Sequence, residues 1–251
     1  MKHSLSILLI FCFLIAIFPI GLFGQDSIPG LLDNPDELLN PESSFHQTLK
    51  TRFIEGSALF MSFIALSLIV GLAFCLERII YLNLAQVNTK KLIAEVEEKL
   101  AENDVEGARE IARDTRGPIA SICYQALSRI HESIDAIDKS ITSFGSVQTG
   151  LLEKNLSWIT LFIAVAPSLG FLGTVVGMIQ AFDNIQQYGD INPSIIAEGM
   201  KVALITTVGG LIVAIILQFF YNYILVKIEG IVNEMEDNAV KILDMIVKYK
   251  K

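Results

Sequence analysis

Two hydroxyl side chains, Thr174 and Thr207, with Thr206 beside the second, stand inside long apolar stretches of this 251-residue chain. A threonine hydroxyl both donates and accepts a hydrogen bond, so it can hand a proton on through water, but it does not itself titrate near neutral pH. Proton movement driven by a membrane potential needs an ionisable group near mid-membrane. The apolar stretches after the first hold no Asp or Glu in their interiors. If protons pass, the acid therefore comes from another subunit. Other chemistries find little support. No Ser/His pair, paired Asp or HExxH arrangement lies in any apolar stretch, so an intramembrane enzyme is disfavoured. His3, His46 and His131 are scattered, and Cys12, Cys75 and Cys123 have no CxxC partner. They read as solvated histidines and small apolar residues, with neither a metal site nor a cofactor implied.

Around the threonines the small residues are dense. Pro167, Gly170, Gly173 and Gly177 precede or follow Thr174, and Gly210 follows Thr207. Gly173 and Gly177 form a GxxxG, which lets helix backbones approach where lipid gives no hydrophobic drive for association. Pro167 removes a backbone donor and marks a possible kink. Thr207, Gly210, Ala214, Gln218 and Asn222 recur at helical offsets, and Thr160, Ala164, Pro167, Thr174 and Ala181 give the preceding stretch a matching stripe. Such faces turn away from lipid, toward each other, a partner helix or water. Two readings stay open: the hydroxyls line an ion pathway, or each bonds its own i−4 carbonyl and the small residues serve packing alone.

The elements that hold these residues are helical and membrane-spanning. Ser4 to Gln25, Gly56 to Leu76, Leu156 to Phe182 and Val202 to Val226 are uncharged, and each reaches the roughly 20 residues needed to cross about 30 Å of hydrocarbon. The predicted fold is an all-α membrane protein. Residues 1–25 are a signal peptide or an extra signal-anchor helix, and 26–55 form a periplasmic loop and an amphipathic helix. Residues 56–82 are the first main span, 83–155 a cytoplasmic helical domain, and 156–182 the second span. A periplasmic loop over 183–196 leads to the third span at 197–226 and a cytoplasmic helix at 227–251. Arg78, Lys90, Lys91, Lys227, Lys248, Lys250 and Lys251 all fall on the cytoplasmic side of this topology, as the positive-inside rule requires. Ile228, Val232, Met235, Ala239, Ile242, Ile246 and Tyr249 make a heptad stripe, for packing on the chain's own domain or on a neighbouring copy. The net charge of −8 lies outside the spans, and no basic cluster interleaved with aromatics suggests nucleic acid.

The segments AVAPSLGFLGTVVGMIQAF and EGMKVALITTVGGLIVAI resemble the second- and third-span signatures of the MotA/TolQ/ExbB family, and the layout of residues 56 to 251 is most similar to ExbB and TolQ. The resemblance implies a homopentamer in the bacterial inner membrane, embedded in lipid, whose second and third spans line a central pore. It implies single-span partners of the ExbD or TolR type carrying a transmembrane Asp, with Thr174 and Thr207 beside that acid. A TonB-like protein would receive the resulting displacement, as in energised outer-membrane transport; a stator for surface motility and a non-conducting scaffold are the alternatives. Where many family members read G-I-x-E-A-L, this chain reads Gly199, Met200, Lys201, Val202, Ala203, Leu204, so that Glu is absent and Glu198 lies nearby.

Overall fold

In the computed structural model, residues 53, 56–188 and 193–250 are described, and these are helical apart from short joints. The expected N-terminal signal or anchor helix, almost all of the periplasmic loop before the first span, and positions 189–192 lie outside the described residues. Seven helices follow in order: α1 Ala58–Ala85, α2 Thr89–Ala101, α3 Val105–Asp114, α4 Pro118–Ser128, α5 Ile134–Leu152, α6 Leu156–Tyr188 and α7 Pro193–Tyr249. Each of three of them, α1, α6 and α7, carries a stretch long and apolar enough to cross a membrane.

The short helices of the middle domain begin where side chains satisfy their first backbone donors. Asn88 caps α2 by accepting from the Lys91 amide, Asp104 caps α3 by accepting from the Gly107 amide at 2.9 Å, and Ser133 caps α5 through Ala136. Such caps use the orphan amides of a first helical turn. Gly107 thus sits inside the first turn of α3, and the break before it falls at 102–104, where Asn103 takes a left-handed backbone. Gly117 precedes α4 with φ +111, and a Cβ there would lie 2.7 Å from the Ala85 carbonyl oxygen, so a side chain is excluded on both counts. Pro118 then opens the helix, where its missing amide costs nothing.

α7 is one unbroken helix of 57 residues, in which the third apolar span and the C-terminal tail are continuous. Its tail packs on the chain's own middle domain: Ile228, Ile231, Met235, Ile242 and Ile246 are buried in one core with Val96, Leu100, Ala112, Ile122, Cys123, Leu127 and Ile137. In water each such large aliphatic side chain contributes roughly 2 kcal/mol by burial. The buried stripe runs through Ile231 and Asn238, while Val232, Ala239 and Tyr249 of the expected heptad are half-buried at its edge. A helix lying across several short ones need not keep the strict seam of a two-stranded coil. Asn238 is accommodated because its amide donates to its own Glu234 carbonyl.

α1 lies against α6 and α7 through a few tight contacts. Phe74 stacks on Trp158 and Phe162 at 6.0 and 6.3 Å between ring centroids. A Cβ on Gly71 would meet Leu217, and one on Gly209 would meet Met61. The other face of α1, with Leu59, Phe63, Leu66 and Ile69, is exposed and suits acyl chains. Toward the C-terminal end of α1, Arg78 is only 3% exposed. Its guanidinium grips Glu77 through two nitrogens, donates to the Leu151 carbonyl at 3.3 Å, and lies 4.6 Å from the centroid of Tyr81. Asn155, left-handed at the α5–α6 joint, donates to the same Glu77 carboxylate.

Candidate functional site

α6 and α7 meet along a seam built from residues with little or no side chain. A Cβ placed on Gly210 would stand 2.5 Å from the Ala166 carbonyl oxygen, and one on Gly170 would stand 2.8 Å from the Thr206 carbonyl oxygen. Gly173 faces the Thr206 side chain at 2.7 Å, Gly177 faces Gly199 and Ala203, and Gly199 faces Ala181 at 2.5 Å on the same measure. Backbones this close leave no room for larger residues, which is the physical content of small-residue packing in membranes. The expected packing glycines Gly170, Gly173, Gly177 and Gly210 all lie in the seam. Pro167 is half-buried within α6, next to Ala166, and the helix continues through it. Ala166, Gly199 and Ala203 complete the seam; a four-residue spacing of small residues at 199 and 203 was the available signal for two of them.

The close approach brings the two expected threonines together. The hydroxyls of Thr174 and Thr207 are in hydrogen-bond contact across the seam, and either can be the donor. Both also reach the same two backbone oxygens. Thr174 Oγ1 lies 3.2 Å from the Ala203 carbonyl and 3.3 Å from that of Gly170; Thr207 Oγ1 lies 3.3 and 3.4 Å from the same pair. Two hydroxyl protons thus have more acceptors than they can occupy, and the pair can be rearranged without breaking the helices. Thr206 does not join them. It is fully buried on the seam's inner side, its hydroxyl donating at 2.8 Å to the Ala203 carbonyl and its methyl and oxygen wedged against Gly173. Thr160 likewise bonds its own Leu156 carbonyl at 3.1 Å.

The threonine pair sits on the edge of the seam that α1 leaves open. Trp158 and Gly209, which meet α1, each lie about 160° round their helices from Thr174 and Thr207, at 100° per residue. The stripes noted in the sequence follow this open edge: Thr160, Ala164, Gln218 and Asn222 are exposed along it, Pro167, Thr174, Thr207 and Ala214 half-buried, and Gly210 and Ala181 turned into the seam. Lys201 is exposed near the N-terminal end of α7, and the Glu198 side chain lies outside those described. Among the described residues no cluster of His, Cys, Asp or Glu could hold a metal ion. The Glu77–Arg78–Asn155 cluster depends on pairing across 78 residues and had no local signal in the sequence.

A multi-pass, all-helical membrane protein whose second and third spans are pressed together around hydroxyls is the class these features define. Residues 114–237 match the family model described as the MotA/TolQ/ExbB proton channel family. An ExbB homolog of Methanothermobacter thermautotrophicus, named for biopolymer transport, is 32% identical over 200 residues, 79% of this chain and 70% of the relative. The ExbB-like 1 protein of Synechocystis is 28% identical over 66% of both chains, and the ExbB of Aquifex aeolicus 39% identical over 31% of this chain and 52% of its own length. The chain belongs to the MotA/TolQ/ExbB proton channel family, close to its ExbB branch, and is a multi-pass protein of the inner membrane.

Proposed function

We propose that this chain is the pore-forming subunit of a motor driven by the proton-motive force, which energises an envelope process such as TonB-dependent outer-membrane transport. The observation that carries the reading is the Thr174–Thr207 hydroxyl pair on the open edge of the α6–α7 seam. Each hydroxyl can return its proton to the carbonyl four residues back on its own helix, and their mutual contact gathers two hydroxyls at one level, which suits a surface that meets water or protein. The spans supply no carboxylate at that level, so the titrating group is the Asp of a single-span ExbD- or TolR-like partner, and copies of this chain, five in the family's arrangement, enclose it. The hydroxyls then solvate the partner's acid in whichever protonation state it holds, donating to the carboxylate and accepting from the acid. A TonB-like protein takes up the displacement.

The test replaces Thr174 or Thr207 with Val, which keeps shape and removes the hydroxyl. Either variant should assemble in the membrane at wild-type levels while uncoupler-sensitive, motor-dependent uptake falls. Wild-type uptake in both variants refutes the reading. It would favour the non-conducting scaffold, to which the tightness of the seam is equally suited.

A further inference from the structure

Between the threonine pair and the cytoplasm α7 carries a second polar feature. Gln218 and Asn222, one turn apart and both exposed, are hydrogen-bonded to each other, Gln218 Nε2 donating to Asn222 Oδ1 at 3.3 Å. Gln218 is eleven residues beyond Thr207, which places it about 16 Å nearer the cytoplasm and only about 20° round the helix. Asn222, one turn further on, lies about 60° round from Thr207. Half-buried Ala214 and the exposed Leu211 lie between the two levels, Leu211 about 40° round from Thr207 and on the same side of the helix.

The amides differ from the hydroxyls around them. Thr160 and Ser168 return their protons to carbonyls of their own helix, which makes a hydroxyl tolerable even against lipid. Gln218 and Asn222 bond each other instead. After their mutual bond, three amide hydrogens and the Gln218 oxygen have no partner among the described residues. Acyl chains offer none, and a polar group left unsatisfied in hydrocarbon is unfavourable. Water offers both donors and acceptors.

We propose that Gln218 and Asn222 line a hydrated passage that connects the Thr174–Thr207 level to the cytoplasm, the inner half of the proton route. The inference rests on the functional reading above. The amides stay neutral throughout; they orient a file of water, and a proton released from the partner's acid leaves along it, each water accepting one proton and passing on another. The outer half of the route is then served by hydroxyls and the inner half by amides.

Cysteine accessibility in the full-length chain tests this in native inside-out membrane vesicles. Cys75 and Cys123 are fully buried and remain silent; Cys12 is replaced by Ser, and that parent serves as the blank. Gln218→Cys and Asn222→Cys are each treated with a methanethiosulfonate bearing a trimethylammonium group. The comparison is Ile69→Cys on the exposed face of α1, at nearly the same depth because neighbouring Gly71 faces Leu217. Both positions on α7 should label at least about tenfold faster than position 69, because a charged reagent reaches a thiolate in water and not one in lipid. In the same vesicles the double variant Gln218→Leu/Asn222→Leu should lower proton flux at unchanged assembly. Labelling no faster than at position 69 overturns the passage. So does fast labelling with flux untouched by the Leu pair, since the wet face is then off the route. If flux falls in Thr174→Val or Thr207→Val but survives the Leu pair, the motor reading stands and this inference alone fails; if flux survives in both threonine variants, the motor reading fails and takes the inference with it.

Discussion

A single methyl group at Gly210 should separate the two spans that carry the threonines. In Gly210→Ala the new Cβ would lie 2.5 Å from the Ala166 carbonyl oxygen and 3.2 Å from Gly170 Cα, and both obstacles are backbone. Ordinary contact begins near 3.4 Å, so α7 must withdraw locally by about 0.9 Å, since backbone cannot rotate aside as a side chain would. Overpacking of this kind costs about 1–3 kcal/mol, against which alanine's better helix propensity returns up to about 1 kcal/mol. The net expectation is destabilisation of about 1–2 kcal/mol. Gly230→Ala is the matched control, because no heavy atom lies within 4 Å of its Cβ and only the propensity gain remains. Reversible unfolding of the purified chain in mild detergent, followed by helical circular dichroism, reads both. Opposite signs are expected. A Gly210→Ala protein at least as stable as wild type, or a Gly230→Ala protein that loses as much, refutes the account of the seam.

Other expectations concern the middle helical domain and its junction with α1. Arg78→Leu should cost about 2 kcal/mol in the same assay, below the range for a fully buried pair because Glu77 is 47% exposed and water can take over its carboxylate; Glu77→Gln, which keeps an acceptor, should cost less. Equal losses from the two would show that the guanidinium's contacts with Leu151 and Tyr81 matter little. Burial pushes the Cys123 thiol up to about 12, so it should resist maleimide at pH 8 until the domain unfolds. The unfolded thiol ionises first as pH rises, so this group leaves stability flat below about pH 9 and lowers it between about 9 and 12. Removing the thiol in Cys123→Ala should abolish that component of the alkaline slope.

The membrane part of the fold was legible because length and absence of charge are one-dimensional properties. Leu156 to Phe182 and Val202 to Val226 announce spans with no knowledge of their neighbours. The packing role of Gly170, Gly173 and Gly210 was legible for a related reason: a glycine inside an apolar helix has a propensity cost that close approach explains. Pairing was not. Nothing local separates Thr206, sunk in the seam, from adjacent Thr207 on its open edge; one residue is about 100° of helix, and which edge α1 covers is settled by distant partners such as Met61 and Leu217. The buried stripe of the tail shows the same limit. Periodicity gave its face to within one position, and the choice of Ile231 over Val232 came from the several short helices it crosses.

The continuity of α7 has a mechanical consequence. At 1.5 Å per residue its 57 residues make a rod about 85 Å long, with no proline between Ile195 and Tyr249. A tilt of about 5° imposed at Thr207 would displace Ile246, some 58 Å along the axis, by about 5 Å. α6 is different, since Pro167 lacks the amide that would bind the Ile163 carbonyl and offers a compliant point seven residues from Thr174. Of two helices that share one hydroxyl contact, one is a lever and the other can yield, so strain arising at that contact is carried stiffly toward the middle helical domain along α7 and absorbed along α6.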